Sequence, residues 1–352
     1  MLVVAGLSLK NLLPEVWKPA SQYYIPALKA VMVSYGEFHR MPYQMKKAKE
    51  VGLREYLGVA TDTKVYLDNG AFYFLRSGDV AKRKDYERFV EATKPDWYPM
   101  AFDVIPTPQM SNARQRKCLD DTMKANRAYN HDGFVPVIHI CRLIEDYVKA
   151  IKRSPKLMGK DRIALGAIVP NLLRATKAVS YQTVLQSLFD VRLTFPGKEM
   201  HVFGIGGTAT LHIAALLNID SADSSGWRNR AARGVVQLPG SGDRVVANLG
   251  NWRGRAPSPK EWHTLDRCQC PACRNHGLSG LKKNGLAGFC NRATHNLWVV
   301  VDEARWVKQE IEAGSYEKNY LNRLNNSTYS RLISQVLRMK KSTDEMNATE
   351  RR

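Results

Sequence analysis

Short apolar or β-branched runs recur along the first two thirds of the chain, at residues 2–5, 30–34, 64–67, 97–102, 134–140, 162–168, 200–205 and 217–222. Between them lie segments of helical character at 43–51, 84–93, 112–129, 144–152 and 181–188. Strands alternating with helices predict parallel βαβ units. Eight such strands fit a (β/α)8 TIM barrel, an α/β fold. An open doubly wound sheet is the alternative, but its glycine signature is missing. Gly204-Ile205-Gly206-Gly207 lacks the downstream glycine and comes late in the chain.

After Arg233 the rhythm stops. Residues 235–238 and 244–248, joined through Gly240-Ser241-Gly242-Asp243, read as a β-hairpin, and 299–313 reads as an amphipathic helix. The expected organisation is a catalytic barrel over 1–233, then a hairpin, a metal-binding subdomain and a barrel-closing helix over 234–313. A helical tail follows over 314–352, its polar end frayed.

Composition narrows the partners. The 352 residues carry 53 Lys+Arg against 33 Asp+Glu, a formal charge of +20. That surplus attracts a polyanion, nucleic acid first and an anionic membrane second. Asn251-Trp252-Arg253-Gly254-Arg255 is basic and aromatic, as a nucleic-acid surface would be. No apolar run approaches the roughly 20 residues of a membrane span, and Met1 to Gly6 lacks the marks of a leader, so a cytoplasmic protein is expected.

In a barrel the chemistry sits just beyond the C-terminal ends of the strands. Polar residues recur there: Asp68-Asn69-Gly70-Ala71-Phe72, Asp103, His139, Gly166-Ala167-Ile168-Val169-Pro170, and Asp220 with Asp223. A lone acid at such a place can be a helix cap. Several acids at one face of one barrel favour a shared site. The arginines after Asp223 (Arg228, Arg230 and Arg233) could hold phosphates, and Trp227 could stack on a base or pack in the core.

Three of the six cysteines crowd into Cys268-Gln269-Cys270-Pro271-Ala272-Cys273. Neighbours that close pair poorly as disulfides, so three thiolates of a structural zinc site are the better reading. His295, Cys290 and His276 compete as fourth ligand. Cys118 and Cys141 read as buried apolar residues.

These pieces resemble the tRNA-guanine transglycosylases, in particular their archaeal-like branch, and look closest to the DNA-modifying offshoot DpdA. The likeness runs from about residue 64 to residue 313. Asp68-Asn69-Gly70-Ala71-Phe72 is similar to the family's Asp-Ser-Gly-Gly-Phe. Met100-Ala101-Phe102-Asp103 is similar to its second acidic motif, and Gly166 to Pro170 to its glycine turn under the base. Ile219 to Ser224 is similar to its nucleophile motif. The three cysteines with His295-Asn296-Leu297 resemble its zinc subdomain, which makes His295 the fourth ligand.

The resemblance implies a double displacement, with Asp223 as nucleophile and Asp68 as general acid/base. Asp103, His139, Asn69, Phe72 and the backbone of Gly166, Ala167 and Ile168 would hold the base. The incoming base would be a 7-deazaguanine such as preQ0, and the target nucleotide would be flipped into the pocket. Asn69, Ala71 and His139 depart from the family's Ser, Gly and Gln, and Gly206-Gly207-Thr208 from its archaeal Gly-His-Pro. With the chain ending soon after the zinc helix, these departures favour DNA over tRNA, in a bacterial or phage-encoded protein. A catalytically inactive zinc-bearing nucleic-acid-binding subunit is a third reading, opposed by the presence of all three acids. The resemblance also allows a homodimer, or partner proteins of a DNA-modification system.

Overall fold

The computed structural model describes the chain except residues 80–81, 130, 173–174, 251–252, 325–326, 328 and 351–352, and the side chains of 343–350. Asn251 and Trp252 of the basic aromatic stretch therefore lie outside the described residues. Contacts divide the chain into two compact units. One comprises 2–205 with 221–225, and the other Met1, 206–220 and 226–352.

The first unit is the barrel. Its strands are β1 (Leu2–Gly6), β2 (Ala30–Ser34), β3 (Lys64–Asp68), β4 (Val137–His139), β5 (Arg162–Gly166), β6 (Glu199–Val202) and β7 (Ser221–Ser224). They pair in the order β3-β2-β1-β7-β6-β5-β4, all parallel. Segment 97–99 supplies the eighth position. Trp97 bridges to Tyr66 of β3 and Pro99 to Val135 ahead of β4, both in parallel. Leu67 N–H donates to Trp97 O at 2.9 Å and Met100 N–H to Val135 O at 3.0 Å, which closes the ring. This stretch is a ladder of bridges rather than a strand because Pro95, Pro99 and Pro136 have no N–H to give.

Buried Val, Ile, Leu and Ala make the strand walls, as expected of parallel strands covered on both faces. Two of the crossover helices begin where the sequence supplies a serine cap. Ser111 and Ser180 accept from the backbone N–H of Arg114 and Thr183, opening Asn112–Ala128 and Tyr181–Thr194. Inside the barrel Tyr66 stacks on Trp97 at 4.9 Å, and His201 packs against Trp97 and Phe203. Cys118 and Cys141 are buried, as their surroundings in the sequence suggested.

The second unit is helical apart from one hairpin, β8 (Val235–Leu238) with β9 (Gly242–Val245), antiparallel from Val235↔Val245 to Leu238↔Gly242. The second strand starts earlier than expected because Gly242 is already paired. The 28-residue helix Gly285–Glu312 runs through this unit. Its Asn296 is fully buried and tied to backbone: Oδ1 accepts from Gln237 N–H at 2.7 Å, and Nδ2 donates to Trp227 O and Val235 O. Helix Ser330–Glu350 occupies the polar end of the chain. Among the described residues no helix is long and apolar enough to cross a membrane.

Candidate active site

A cavity of about 220 Å³ opens at the C-terminal ends of the barrel strands. Its lining includes Asp68, Asn69, Phe72, Asp103, His139, Gly166, Ala167, Ile168 and Asp223. Nine residues expected at the site from sequence thus come together around one space, though they are drawn from five places in the chain. Small apolar side chains (Ala71, Ile105 and Ala167) form a buried cluster beside it.

Asp68 ends β3. Its Oδ2 accepts from Ser34 Oγ at 2.8 Å and from Gly70 N–H at 3.0 Å. Gly70 has φ +80°, and a Cβ there would lie 2.5 Å from the backbone N of Gly36, so only glycine fits the turn that brings its N–H to the carboxyl. Burial, reinforced by the negative charges of Asp223 and Asp103, pushes the Asp68 carboxyl up to about 7, against the two hydrogen bonds. Such a group can hold a proton or release it near neutral pH.

Asp103 is treated in the opposite way. Burial alone would raise its carboxyl, but the contacts from His139 and Asn69 outweigh it and hold the carboxyl below the usual value. Asn69 Nδ2 donates to Asp103 Oδ1 at 2.7 Å and also to Met100 O. His139 Nε2 lies 2.8 Å from Asp103 Oδ2. His139 Nδ1 has no hydrogen-bond partner among the described residues. A Cβ on Gly166 would come within 2.8 Å of that nitrogen, so glycine at 166 leaves the ring its place. The chain takes a left-handed backbone at Phe102 (φ 34°) and Ala167 (φ 59°), beside Asp103 and Gly166. Non-glycine residues there store about 1–3 kcal/mol of strain, and such strain clusters at functional sites.

Asp223 sits on β7. Gly204 N–H donates to its Oδ1 at 3.0 Å, and His201 Nε2 lies 3.3 Å from the same oxygen. Among the described residues nothing bonds Oδ2. The anchors Ser34, Gly204 and His201 were not foreseen as such. Ser34 could have been found by the rule that found the acids, since it ends an apolar run. His201 carried a weaker signal, an imidazole inside the apolar stretch 200–205.

Phe72, in the first turn of helix Ala71–Ser77, lines the cavity while 45% exposed, an apolar face offered to whatever enters. The three arginines belong to the other unit. Arg228 is buried, with its guanidinium 5.4 Å from the ring centres of Trp227 and Phe289. Trp227 is itself a core residue. Arg230 Nε donates to both carboxylate oxygens of Asp243, and Arg233 is exposed.

The second unit gathers Cys268, Cys270, Cys273 and His295, whose ligand atoms lie within 4.8 Å of one another. His295 Nδ1 is 3.4 Å from the sulfurs of Cys268 and Cys273 and 4.0 Å from that of Cys270. These separations suit the edges of a tetrahedron with zinc bonds of about 2.0–2.3 Å. His295 Nε2 lies 2.9 Å from Gln237 O, the outer hydrogen bond that turns Nδ1 toward a metal. Cys290 and His276 stand outside this group. The set could hold a zinc ion in a closed, structural site.

Fold and site together define a class: a (β/α)8 barrel with a carboxylate-rich pocket at its strand ends, followed by a Cys3His cluster. Residues 68–328 match the family profile described as "Queuine tRNA-ribosyltransferase". The chain belongs to this family. It is 25% identical over 280 residues to the "tRNA-guanine(15) transglycosylase" of Methanocaldococcus jannaschii, covering 76% of this chain and 40% of the relative. The protein of the same name from Archaeoglobus fulgidus is 24% identical over 284 residues, with 77% and 53% covered. That from Thermococcus onnurineus is 26% identical over 284 residues, with 78% and 45% covered. The chain spans about half the length of these relatives.

Proposed function

We propose that the chain is a guanine transglycosylase, exchanging a guanine in a nucleic acid for another base through an ester on Asp223. The observation that carries this reading is the different treatment of three carboxyls around one cavity. Asp68 is poised near neutrality, Asp103 is kept ionised, and Asp223 is gripped by one oxygen. Carboxyls whose environments push their protonation apart mark acid, base and nucleophile.

In the first half, Asp223 Oδ2 attacks the anomeric carbon and the glycosidic C–N bond breaks. The departing base takes the bonding pair and receives a proton from Asp68. In the second half, the incoming base gives its ring proton to Asp68 and its nitrogen attacks the same carbon. The ester bond breaks and its electron pair returns to Asp223. Asp103 accepts from N–H groups of the bound base, His139 and the 166–168 backbone complete the pocket, and Phe72 stacks on the base. The Cys3His residues would hold a zinc ion whose contribution would be structural, outside the steps above. Of the three arginines Arg233 is the exposed one and would meet the polyanion, consistent with the net charge of +20, whereas Arg228 is buried and Arg230 is paired with Asp243.

The name of the relatives, tRNA-guanine(15) transglycosylase, supports tRNA as substrate over the DNA favoured by the sequence departures. A 7-deazaguanine is the incoming base proposed. Radiolabelled guanine offered with unfractionated tRNA, and separately with duplex and single-stranded DNA, tests both points. Label is expected in tRNA. Label in DNA alone would restore the DNA reading, and label in neither would overturn the activity.

The raised Asp68 carboxyl has a pH signature. Release of guanine in a single turnover needs the protonated acid, so it is expected to fall about tenfold per unit above pH 7. Capture of the incoming base needs the carboxylate and is expected to fall below pH 7. Stability has a definite sign too. A carboxyl raised in the folded state favours folding in its neutral form, so its contribution is full below about pH 4 and lost as pH rises through 7. Asp68→Asn should remove both pH dependences. A single-turnover release rate flat from pH 5 to pH 9 in the unaltered protein would remove Asp68 from this role.

A further inference from the structure

We propose that His201 is a positioning residue for the Asp223 carboxylate, one that sets how fast the covalent ester breaks down relative to how fast it forms. The proposal rests on the reading of Asp223 as nucleophile.

His201 lies on β6 with 2% of its surface exposed. Both ring nitrogens face polar atoms of β7: Nε2 is 3.3 Å from Asp223 Oδ1, and Nδ1 is 2.9 Å from Ser221 Oγ. The ring is wedged among aromatics, with centroids 4.8 Å from Trp97, 4.8 Å from Phe203 and 5.8 Å from Tyr66. An ionised carboxylate can only accept, so the nitrogen facing it carries the hydrogen. In a neutral ring Nδ1 then accepts from the Ser221 hydroxyl, which fixes the tautomer. Ser221 orients His201, and His201 orients Asp223.

The consequence is an asymmetric carboxylate. His201 Nε2–H and Gly204 N–H both converge on Oδ1. Their grip fixes the plane of the group and leaves Oδ2 to attack. Once Oδ2 is esterified, Oδ1 is the ester carbonyl and carries less charge, so the two donors are worth less. In the second displacement the C–O bond to Oδ2 breaks and the pair returns to the carboxylate. Negative charge then reappears on Oδ1 opposite two preplaced donors, which is where preorganised donors lower a barrier. Removing one donor leaves a somewhat better nucleophile and a poorer leaving group.

A trapping experiment separates this from a packing role. His201→Phe keeps a ring in the aromatic cage but has no N–H. Incubated with radiolabelled tRNA and guanine, and quenched in denaturant, it is expected to show at least about a threefold larger adduct fraction at steady state. Its kcat should fall at least about tenfold while KM for tRNA stays within about threefold. His201→Gln, which can place an amide N–H near the same oxygen, should return both quantities to within about threefold of the unaltered protein. Ser221→Ala, which frees the ring to rotate, should shift the adduct fraction in the same direction by a smaller amount. If His201→Phe does not fold, the glutamine and Ser221 variants carry the test, and an unchanged adduct fraction in Ser221→Ala overturns the proposal. It is also overturned if His201→Phe loses kcat without accumulating adduct, or keeps both within about twofold while Asp223→Asn is dead. Full activity in Asp223→Asn would instead remove the nucleophile reading beneath it. If exchange occurs on DNA, the same measurements are made with DNA.

Discussion

Replacing Asp223 with asparagine is expected to lower base exchange by at least about 10³-fold and to abolish the denaturant-stable adduct with nucleic acid. The change keeps the shape of the side chain. The amide oxygen can still accept from Gly204 N–H and His201 Nε2–H, so the groups now on Oδ1 keep a partner and the end of β7 keeps its form. What is lost is the anion that attacks the sugar and later leaves it. A neutral amide is a poor nucleophile, and the bond it would have to break to depart is far stronger than that of a carboxylate ester. Binding is expected to survive, because the cavity walls and Asp103 are untouched. Retained nucleic-acid binding with lost exchange distinguishes a chemical defect from a folding one. Labelled guanine incorporation and a denaturing gel read the two effects. An asparagine variant that exchanges base at the unaltered rate would end the double-displacement scheme.

The second large effect concerns the Cys3His cluster. Elemental analysis is expected to find one zinc per chain, and Cys270→Ala is expected to lose it together with the cooperative folding of the second unit. Cys270 is fully buried and caps the helix Pro271–Lys282, its sulfur accepting from Cys273 N–H. His295 belongs to the long helix Gly285–Glu312 and is held from the far side by Gln237 of the hairpin. A metal here ties segment 268–273, the long helix and β8 to one point. Structural zinc contributes about 10–16 kcal/mol of binding free energy in small zinc-binding peptides. That is as large as the whole net stability of a typical domain, about 5–15 kcal/mol. Losing it should therefore unfold this unit, while the barrel, with its own core, is expected to keep its secondary structure. Circular dichroism with and without a chelator follows the loss. Cys290→Ala and His276→Ala should keep the metal, as neither belongs to the group. A full zinc complement in Cys270→Ala would show that the ligand set is wrong.

The barrel was legible because its strands are buried on both faces, and a doubly buried strand is written as an unbroken apolar run. Runs 162–168, 200–205 and 217–222 gave the shorter strands Arg162–Gly166, Glu199–Val202 and Ser221–Ser224, and two other runs were cut back further. Residues 134–140 shrink to Val137–His139, and 97–102 become bridges, in both cases beside prolines that cannot donate to a ladder. Helix 299–313 proved to be the second half of Gly285–Glu312. Its first half was hidden because positions 290–297 are all buried, including Arg292, His295 and Asn296. A helix enclosed on every side has no polar stripe, and periodicity cannot reveal it.

Local sequence also pointed to Asp68, Asp103 and Asp223, because each follows an apolar run at the end where a barrel exposes its chemistry. What those carboxyls are worth was not local. Asp68 is held by Ser34, 34 residues away, and Asp103 is paired with Asn69 and His139 from two other strand ends. Asp223 is held by Gly204 and His201, 19 and 22 residues back. Arg228, read as a phosphate-binding residue, lies buried between Trp227 and Phe289. The order and spacing of the residues determined the barrel, the acids and the three thiols, since strand burial and metal ligation depend on neighbours in the chain. Protonation, grip and exposure were decided only by tertiary structure, because they depend on distances between segments the chain brings together from far apart.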